Sequence, residues 1–242
     1  MTTLVVGASG ATGTHLVNQL LSAGNRVKVI VRSTANTPSS WEENPAVVII
    51  KNSVLEISTE EMANLLQDCD AVASCLGHNL TFKGMFGKPR RLVTDAVKLL
   101  CDAIHLNAPS KPIKFVLMNT TGNRNRDLQE PISLSQKIVV GILRVLLPPH
   151  VDNEQAAEYL RTQIGQKNKF IEWAAVRPDG LINEEAVSEY EIYPSPIRSA
   201  IFDAGTVSRI NVGDFMAQLI SISDMWENWK GQMPVIYSLE KK

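Results

Sequence analysis

The residues best suited to chemistry in this chain stand near its start. Gly7-Ala8-Ser9-Gly10-Ala11-Thr12-Gly13 follows the apolar run Leu4-Val5-Val6 and precedes Leu16, Val17, Leu20 and Leu21, which recur at helical spacing. A strand, a glycine turn and a helix in that order build an anion site. Gly7 permits the tight turn, Gly10 lets backbone amides approach a phosphate with no Cβ in the way, and Gly13 lets the helix pack close to the strand. Unpaired amides at the helix start, with the positive end of the helix dipole, then attract a pyrophosphate. Ala11 lies in that first turn, and Ser9 and Thr12 can add hydroxyl donors. The spacing is GxxGxxG, not GxGxxG. The strand–loop–helix–strand context, not the glycines alone, makes a dinucleotide the expected ligand.

The next strand, Val27 to Val31, ends in Arg32-Ser33. A carboxylate at this point normally holds the adenosine ribose hydroxyls and marks NAD. No Asp or Glu occurs between Gly7 and Arg32. The Arg32 guanidinium can pair with a 2′-phosphate and stack on adenine, and Ser33 and Thr34 can add hydrogen bonds. NADP is therefore expected in preference to NAD.

The elements that must position these groups alternate along the chain. Apolar, β-branched runs at Val47–Ile50, Ala71–Leu76, Ile113–Met118 and Ile171–Val176 read as further strands. Helical periodicity falls at Thr59–Gln67 with Thr59 as cap, at Leu92–Ile104, at Ile132–Leu147 and at Asn153–Gln163, the last two divided by Pro148-Pro149. Gly24 suits the position just past the first helix. Short strands this continuously apolar are buried on both faces. The expected fold is α/β, a doubly wound parallel sheet of Rossmann type with right-handed crossovers. After Pro178 the pattern loosens, with a helix near Asn211–Ile222 and a strand near Pro234–Tyr237. Residues 1–242 are read as one domain, with 179–242 as a small substrate lobe over the strand ends. In that lobe Tyr190 to Pro196 can line a pocket or form a rigid loop, Ser208 or Asn211 can cap a helix, and Met225, Trp226, Trp229 and Met233 are expected to pack the tail.

Composition narrows the partners. A net charge of -1 gives no basic excess for nucleic acid or an anionic membrane, so neither is expected. Ile138–Leu147 is about half the ~20 residues that span a bilayer and contains Arg144, so it reads as a buried or partner-facing helix, and a homodimer is possible. Cys69, Cys75 and Cys101 form no CxxC pair, and no metal site is expected. Sparse cysteines and no basic leader point to a reducing, cytoplasmic setting.

Here the residues resemble the atypical branch of the short-chain dehydrogenase/reductase superfamily, which includes NmrA-like and flavin-reductase-like proteins. The opening LVVGASGATGTHLVNQLLSAGNRVKVIVRS is similar throughout, as are Ala71 to Gly77, Phe115 to Gly122 and Trp173 to Gly180. The resemblance covers about residues 1–222 and is specific for fold and cofactor, not for substrate. It implies that Asn52, Ser53 and Val54 lie near adenine and that Cys75, Leu76 and Gly77 pass beside the nicotinamide-side ribose. It also implies that Asn119, Thr120 and Thr121 face the nicotinamide, with Pro178 by the carboxamide. Asn119 and Thr120 are thereby candidates for the reaction itself.

One departure matters. Catalytic members use a Tyr-x-x-x-Lys pair on the helix before strand six. Tyr159 is followed four residues later by Gln163, Tyr190 by Pro194 and Tyr193 by Ile197; Tyr237 and Lys241 have the spacing but lie in the tail. Aligning on Ala156 to Leu160 places His150 and Glu154 where the pair would fall. His150 can serve as an acid near neutral pH, or be a surface residue. Glu154 suits a first helical turn. His78, after Gly77, can reach the crevice, and the His78–Lys88 loop with Gly84 and Gly87 can act as a cover. His15 and His105 read as packing or capping residues.

The expected function is hydride transfer from NADPH to a small acceptor such as a flavin or quinone, which can take its proton from water. One alternative is an NmrA-like redox sensor that binds the dinucleotide and a protein partner without turnover. An epimerase or dehydratase is less favoured, since that chemistry leans hardest on the absent pair.

Overall fold

The computed structural model describes residues 1–34, 37–78, 87–130 and 133–239. In chain order its strands are β1 (Thr2–Val6), β2 (Arg26–Val31), β3 (Val47–Lys51), β4 (Ala71–Ser74), β5 (Ile113–Met118), β6 (Ile171–Pro178), β7 (Gly180–Ile182), β8 (Tyr190–Tyr193), β9 (Thr206–Ser208) and β10 (Val235–Ser238). The helices are α1 (Ala11–Ser22), α2 (Ser39–Glu42), α3 (Thr59–Leu66), α4 (Leu92–Asn107), α5 (Leu134–Leu146), α6 (Pro148–Tyr159), α7 (Arg209–Ser221) and α8 (Ser223–Trp229).

One sheet runs in the order β3-β2-β1-β4-β5-β6-β10-β8. All its pairings are parallel except β10 with β8. Alternate residues along each strand supply two cores. Leu4, Val6, Val72, Phe115, Leu117, Trp173 and Ala175 meet α3, α4 and α6 on one face. Val5, Val29, Ala73, Val116, Ala174 and Val176 meet α1, α7 and α8 on the other. This is the doubly wound sheet expected from the strand–helix alternation. Because β1 to β6 are parallel, their C-terminal ends share one edge, and the loops after β1, β2, β3, β4 and β5 that carry candidate residues leave from it.

Several boundaries differ from expectation for physical reasons. α3 is capped by Ser58, not Thr59: its hydroxyl accepts the Glu61 amide at 3.2 Å while the Glu61 carboxylate accepts the Ser58 amide at 2.9 Å, a capping box. β4 stops at Ser74. Pro148 and Pro149 open α6, which therefore starts before Asn153; the first turn of a helix needs no amide donor from them. Its end widens into a π turn at Leu160–Ile164. In the segment after Pro178, β10 and β8 join the central sheet and α7 lies against α1. β7 and β9 pair as a separate two-stranded ribbon. Ile132, most of the expected cover loop (residues 79–86) and Lys241 lie outside the described residues.

Among the described residues no helix is long and apolar enough to cross a membrane. In α5 only Val140 is buried, while Leu134, Ile138, Ile142, Val145 and Leu146 are exposed.

Candidate functional site

The glycine turn is built by close approach. Gly7 has φ +75, and a Cβ there would lie 2.5 Å from the Cys75 carbonyl carbon, because the end of β4 passes directly over the turn. A Cβ on Gly13 would lie 2.1 Å from the Gly7 oxygen. Gly10 is the N-cap of α1, and no side chain caps the helix. The amides of Ala11, Thr12 and Gly13 thus have no intrahelical acceptor. The first turn carries no acidic residue that would repel an anion. Gly10 and Ala11 are exposed, Ser9 is half-buried, and Thr12 and Gly13 are buried. The Thr14 hydroxyl fastens the turn from below by donating to the Ala8 and Gly10 carbonyls. This cradle fits a diphosphate: free amides, a positive dipole end and no Cβ at the point of approach.

Arg32 and Ser33 are exposed at the end of β2, beside the cradle. Asn52 follows β3, its amide bonded to the Val31 carbonyl and its side chain accepting the Ser53 amide at 2.8 Å. Val54 is buried in a short 3-10 turn. Cys75 and Leu76 are half-buried and Gly77 is exposed. Burial pushes the Cys75 thiol up to about 12, so it is no nucleophile near neutral pH.

Beyond β5 and β6 lies a cavity of about 320 Å³. Thr120, Thr121, His150, Asp179, Val140 and Leu143 are among its lining residues. The structure therefore brings Thr120, Thr121 and His150 together. Pro178 is buried just behind, its carbonyl accepting the Thr121 amide at 3.1 Å. Asn119 plays a different part: its amide group donates to the Asn153 carbonyl and its oxygen accepts from the Thr120 amide and from Asn123. It shapes the loop under the cavity. His78 does not line the cavity. Its imidazole is buried against Asp152, Nε2 to Oδ2 at 2.7 Å. Asp152 in turn accepts the Val93 and Thr94 amides, standing in for the missing cap of α4.

His150 and Glu154, four residues apart, share one side of α6 with Nε2 and Oε1 3.8 Å apart. That is too long for a hydrogen bond. Glu154 is held instead by Arg144 through two bonds of 2.7 and 2.8 Å. Burial lowers the His150 pKa; Glu154 pulls it up and Arg144 pushes it down. Its Nε2 is buried with no hydrogen-bond partner among the described residues. Tyr159, the tyrosine on this helix, packs against the α4 side of the sheet, and burial raises its phenol to about 12. It is not placed for proton transfer at the cavity.

Sequence reasoning passed over Asp179. It sits at the end of β6, bonded by the Gly205 amide at 2.9 Å and the Thr121 hydroxyl at 3.1 Å. Burial nonetheless raises its carboxyl above the usual carboxylate range. Its position directly after Pro178 on the strand-end edge was the available signal. No group of His, Cys, Asp and Glu suited to a metal occurs among the described residues.

Residues 7–222 match the family described as NAD(P)H-binding. An uncharacterized chloroplastic protein of Arabidopsis thaliana is 34% identical over 71 residues, 29% of this chain and 25% of that protein, so the match spans about a quarter of its length. A short-chain dehydrogenase/reductase of Veillonella parvula in complex with NADP aligns with TM-score 0.68 and 16% identity, covering 98% of this chain and 94% of that one. ChuY, an anaerobillin reductase of Escherichia coli O157:H7, aligns with TM-score 0.69 and 15% identity, covering 100% and 99%. At these identities the likeness to solved structures is one of fold. Since the family match runs from the first glycine of the cradle through α7, which packs on α1, the chain belongs to the NAD(P)H-binding family and has the fold of the short-chain dehydrogenases/reductases its opening residues resemble.

Proposed function

We propose that this chain is an NADPH-dependent reductase that passes hydride to a small planar acceptor such as a flavin or quinone. The observation that carries the reading is the shared sheet edge. The uncapped start of α1 and the 320 Å³ cavity beside Thr120 and Asp179 both open from the C-terminal ends of the parallel strands.

In this reading the amides of Ala11, Thr12 and Gly13 hold the pyrophosphate, with Ser9 adding a hydroxyl. Arg32 and Ser33 pair with the 2′-phosphate, which favours NADP over NAD. Asn52 to Val54 border the adenine, and Cys75 to Gly77 border the second ribose. Thr120, Thr121 and Pro178 orient the nicotinamide, which supplies a hydride when reduced. Val140 and Leu143 give the cavity an apolar wall for a flat acceptor. The acceptor gains a hydride and one proton. Water can supply that proton, and Asp179 holds one on its carboxyl to higher pH than an ordinary carboxylate. His150, kept neutral by burial, offers a hydrogen-bonding nitrogen at the same wall. The likeness in fold to a reductase and to an NADP complex supports the reading.

The test is NADPH consumption by purified protein offered flavins and quinones, each with its NADH control. Turnover with NADPH above NADH is expected. Binding of NADP with no turnover on any acceptor would overturn the reductase reading and leave the sensor.

A further inference from the structure

A second cleft, of about 540 Å³, opens between α5, α6 and the loop after β5. It adjoins the cavity beside Thr120, because Gly122 and Val140 stand in the walls of both. His150 lies on the cavity side of that junction, where a Cβ on Gly122 would come within 3.2 Å of its ring. Glu154, one turn further along α6, lies in the cleft. Charge in the cleft is uneven. Arg124 and Arg126 come from the loop, Lys137 and Arg144 from α5, and Glu154 and Glu158 from α6. Both carboxylates are already engaged. Glu154 accepts from Arg144 at 2.7 and 2.8 Å. Glu158 accepts from Arg161 at 2.7 and 3.1 Å and from Arg126 at 3.5 Å. The other acids of the loop are taken too, Asp127 by Arg161 and Glu130 by Arg177. Arg124 and Lys137 are left exposed, with no ion pair among the described residues.

The fold holds both cations at the cleft. Asn123 and Asn125, on either side of Arg124, are only 2% and 4% exposed. The Asn123 carbonyl accepts from Arg177 at 2.8 Å, and the Asn125 amide donates to Glu130 at 2.8 Å. The backbone at Arg124 is thereby pinned to a buried ion pair while its side chain stands in the cleft. A guanidinium on a fixed backbone gives up little freedom when it captures an anion. Lys137, Val140 and Arg144 follow one another at steps of three and four along α5, so they form one stripe toward the cleft.

We propose that the acceptor carries an anionic arm, a phosphate or a carboxylate, which lies in this cleft against Arg124 and Lys137 while its planar ring occupies the cavity. Arg124 offers a planar fork to two oxygens, and Lys137 a point charge. Val140, Val151 and Met233 give the cleft apolar surface for the carbon stem of the arm. An acceptor without the arm leaves both cations in water and gains nothing from them. That the ligand is a hydride acceptor rests on the reductase reading; that the cleft takes its charged arm does not.

The experiment compares two matched pairs on the full chain: FMN against riboflavin, and a naphthoquinone with a carboxyalkyl chain against its methyl ester. Calorimetry with saturating NADP reads binding, and steady-state kinetics with NADPH reads KM and kcat. The charged member of at least one pair should bind at least ~10-fold more tightly and show a KM lower by a similar factor, with a similar kcat. The pair with the larger ratio tells phosphate from carboxylate. In Arg124→Gln with Lys137→Gln both ratios should fall toward one, with the melting curve and the NADP affinity unchanged. Arg124→Lys, the milder variant, keeps the charge and should retain part of the ratio. Four results would each overturn the proposal: no binding of either charged ligand, equal affinity within both pairs, a full ratio persisting in the double variant, or an equal loss of NADP affinity there. Charge-dependent binding with no turnover would remove the reductase reading alone, and turnover with no charge preference would remove the anionic arm alone.

Discussion

Arg177 and Glu130 form a buried, bidentate ion pair, Nη2 to Oε1 at 2.6 Å and Nη1 to Oε2 at 3.0 Å. The remaining guanidinium donors reach the carbonyls of Met233, Asn123 and Pro194. One side chain at the end of β6 thereby ties the loop after β5 to the ends of β8 and to the approach to β10. Glu130 also accepts the Asn125 amide at 2.8 Å. Removing one partner strands a charge in the interior. Glu130→Ala should cost about 3–5 kcal/mol in urea unfolding. A loss under ~1 kcal/mol would mean that the pair does not hold the loop.

Gly13→Ala should destabilise by ~1–3 kcal/mol or more, as overpacking does. The new Cβ would fall 2.1 Å from the Gly7 oxygen and 2.9 Å from the Ala8 Cα, and both are backbone atoms of the turn that cannot swing aside. Thermal melting checks this. A variant as stable as the parent would show that the turn is looser than described.

The strand runs and Gly7 to Gly13 were legible because each is local: apolar alternation, glycine spacing and helix period lie within a few residues. Ser58 carried its own signal, a hydroxyl three residues before Glu61, but Thr59 offered the same chemistry one place on. The pairing of His78 with Asp152 joins residues 74 apart and has no local mark. Without it His78 looked free to enter the crevice. Glu130 was illegible for the same reason, since its partner Arg177 lies 47 residues on, in β6. The pairing of β8 with β10 was not legible because both strands are short, and an edge pairing leaves little pattern in sequence.

Arg32→Glu should weaken NADP binding at least ~10-fold, or about 1.4 kcal/mol, while leaving NAD nearly unchanged. Arg32 is exposed, so the melting temperature should hold. Calorimetric titration with both nucleotides reads it. An unchanged preference would remove Arg32 from the cofactor assignment.

The pH dependence of stability has a defined sign. Burial lowers the folded pKa of His150 below its ordinary 6.5, so the unfolded chain binds more protons in that window. Stability from this group is full above about pH 6.5 and declines as pH falls from there toward the lowered value. His150→Gln should flatten that part of the profile. His15 is lowered as well, by burial and then by Arg209, so some slope should remain in the variant. A profile identical to the parent's would show that the His150 ring is solvated.

The most direct measurement is calorimetric titration of NADP into the parent chain and into Gly10→Val, with melting curves to confirm that both are folded. Binding at one site per chain is predicted for the parent, with at least a tenfold loss (about 1.4 kcal/mol) in the variant, whose side chain would occupy the approach to the free α1 amides. No binding by the parent, or equal binding by a folded Gly10→Val, would contradict the placement of the dinucleotide on this turn.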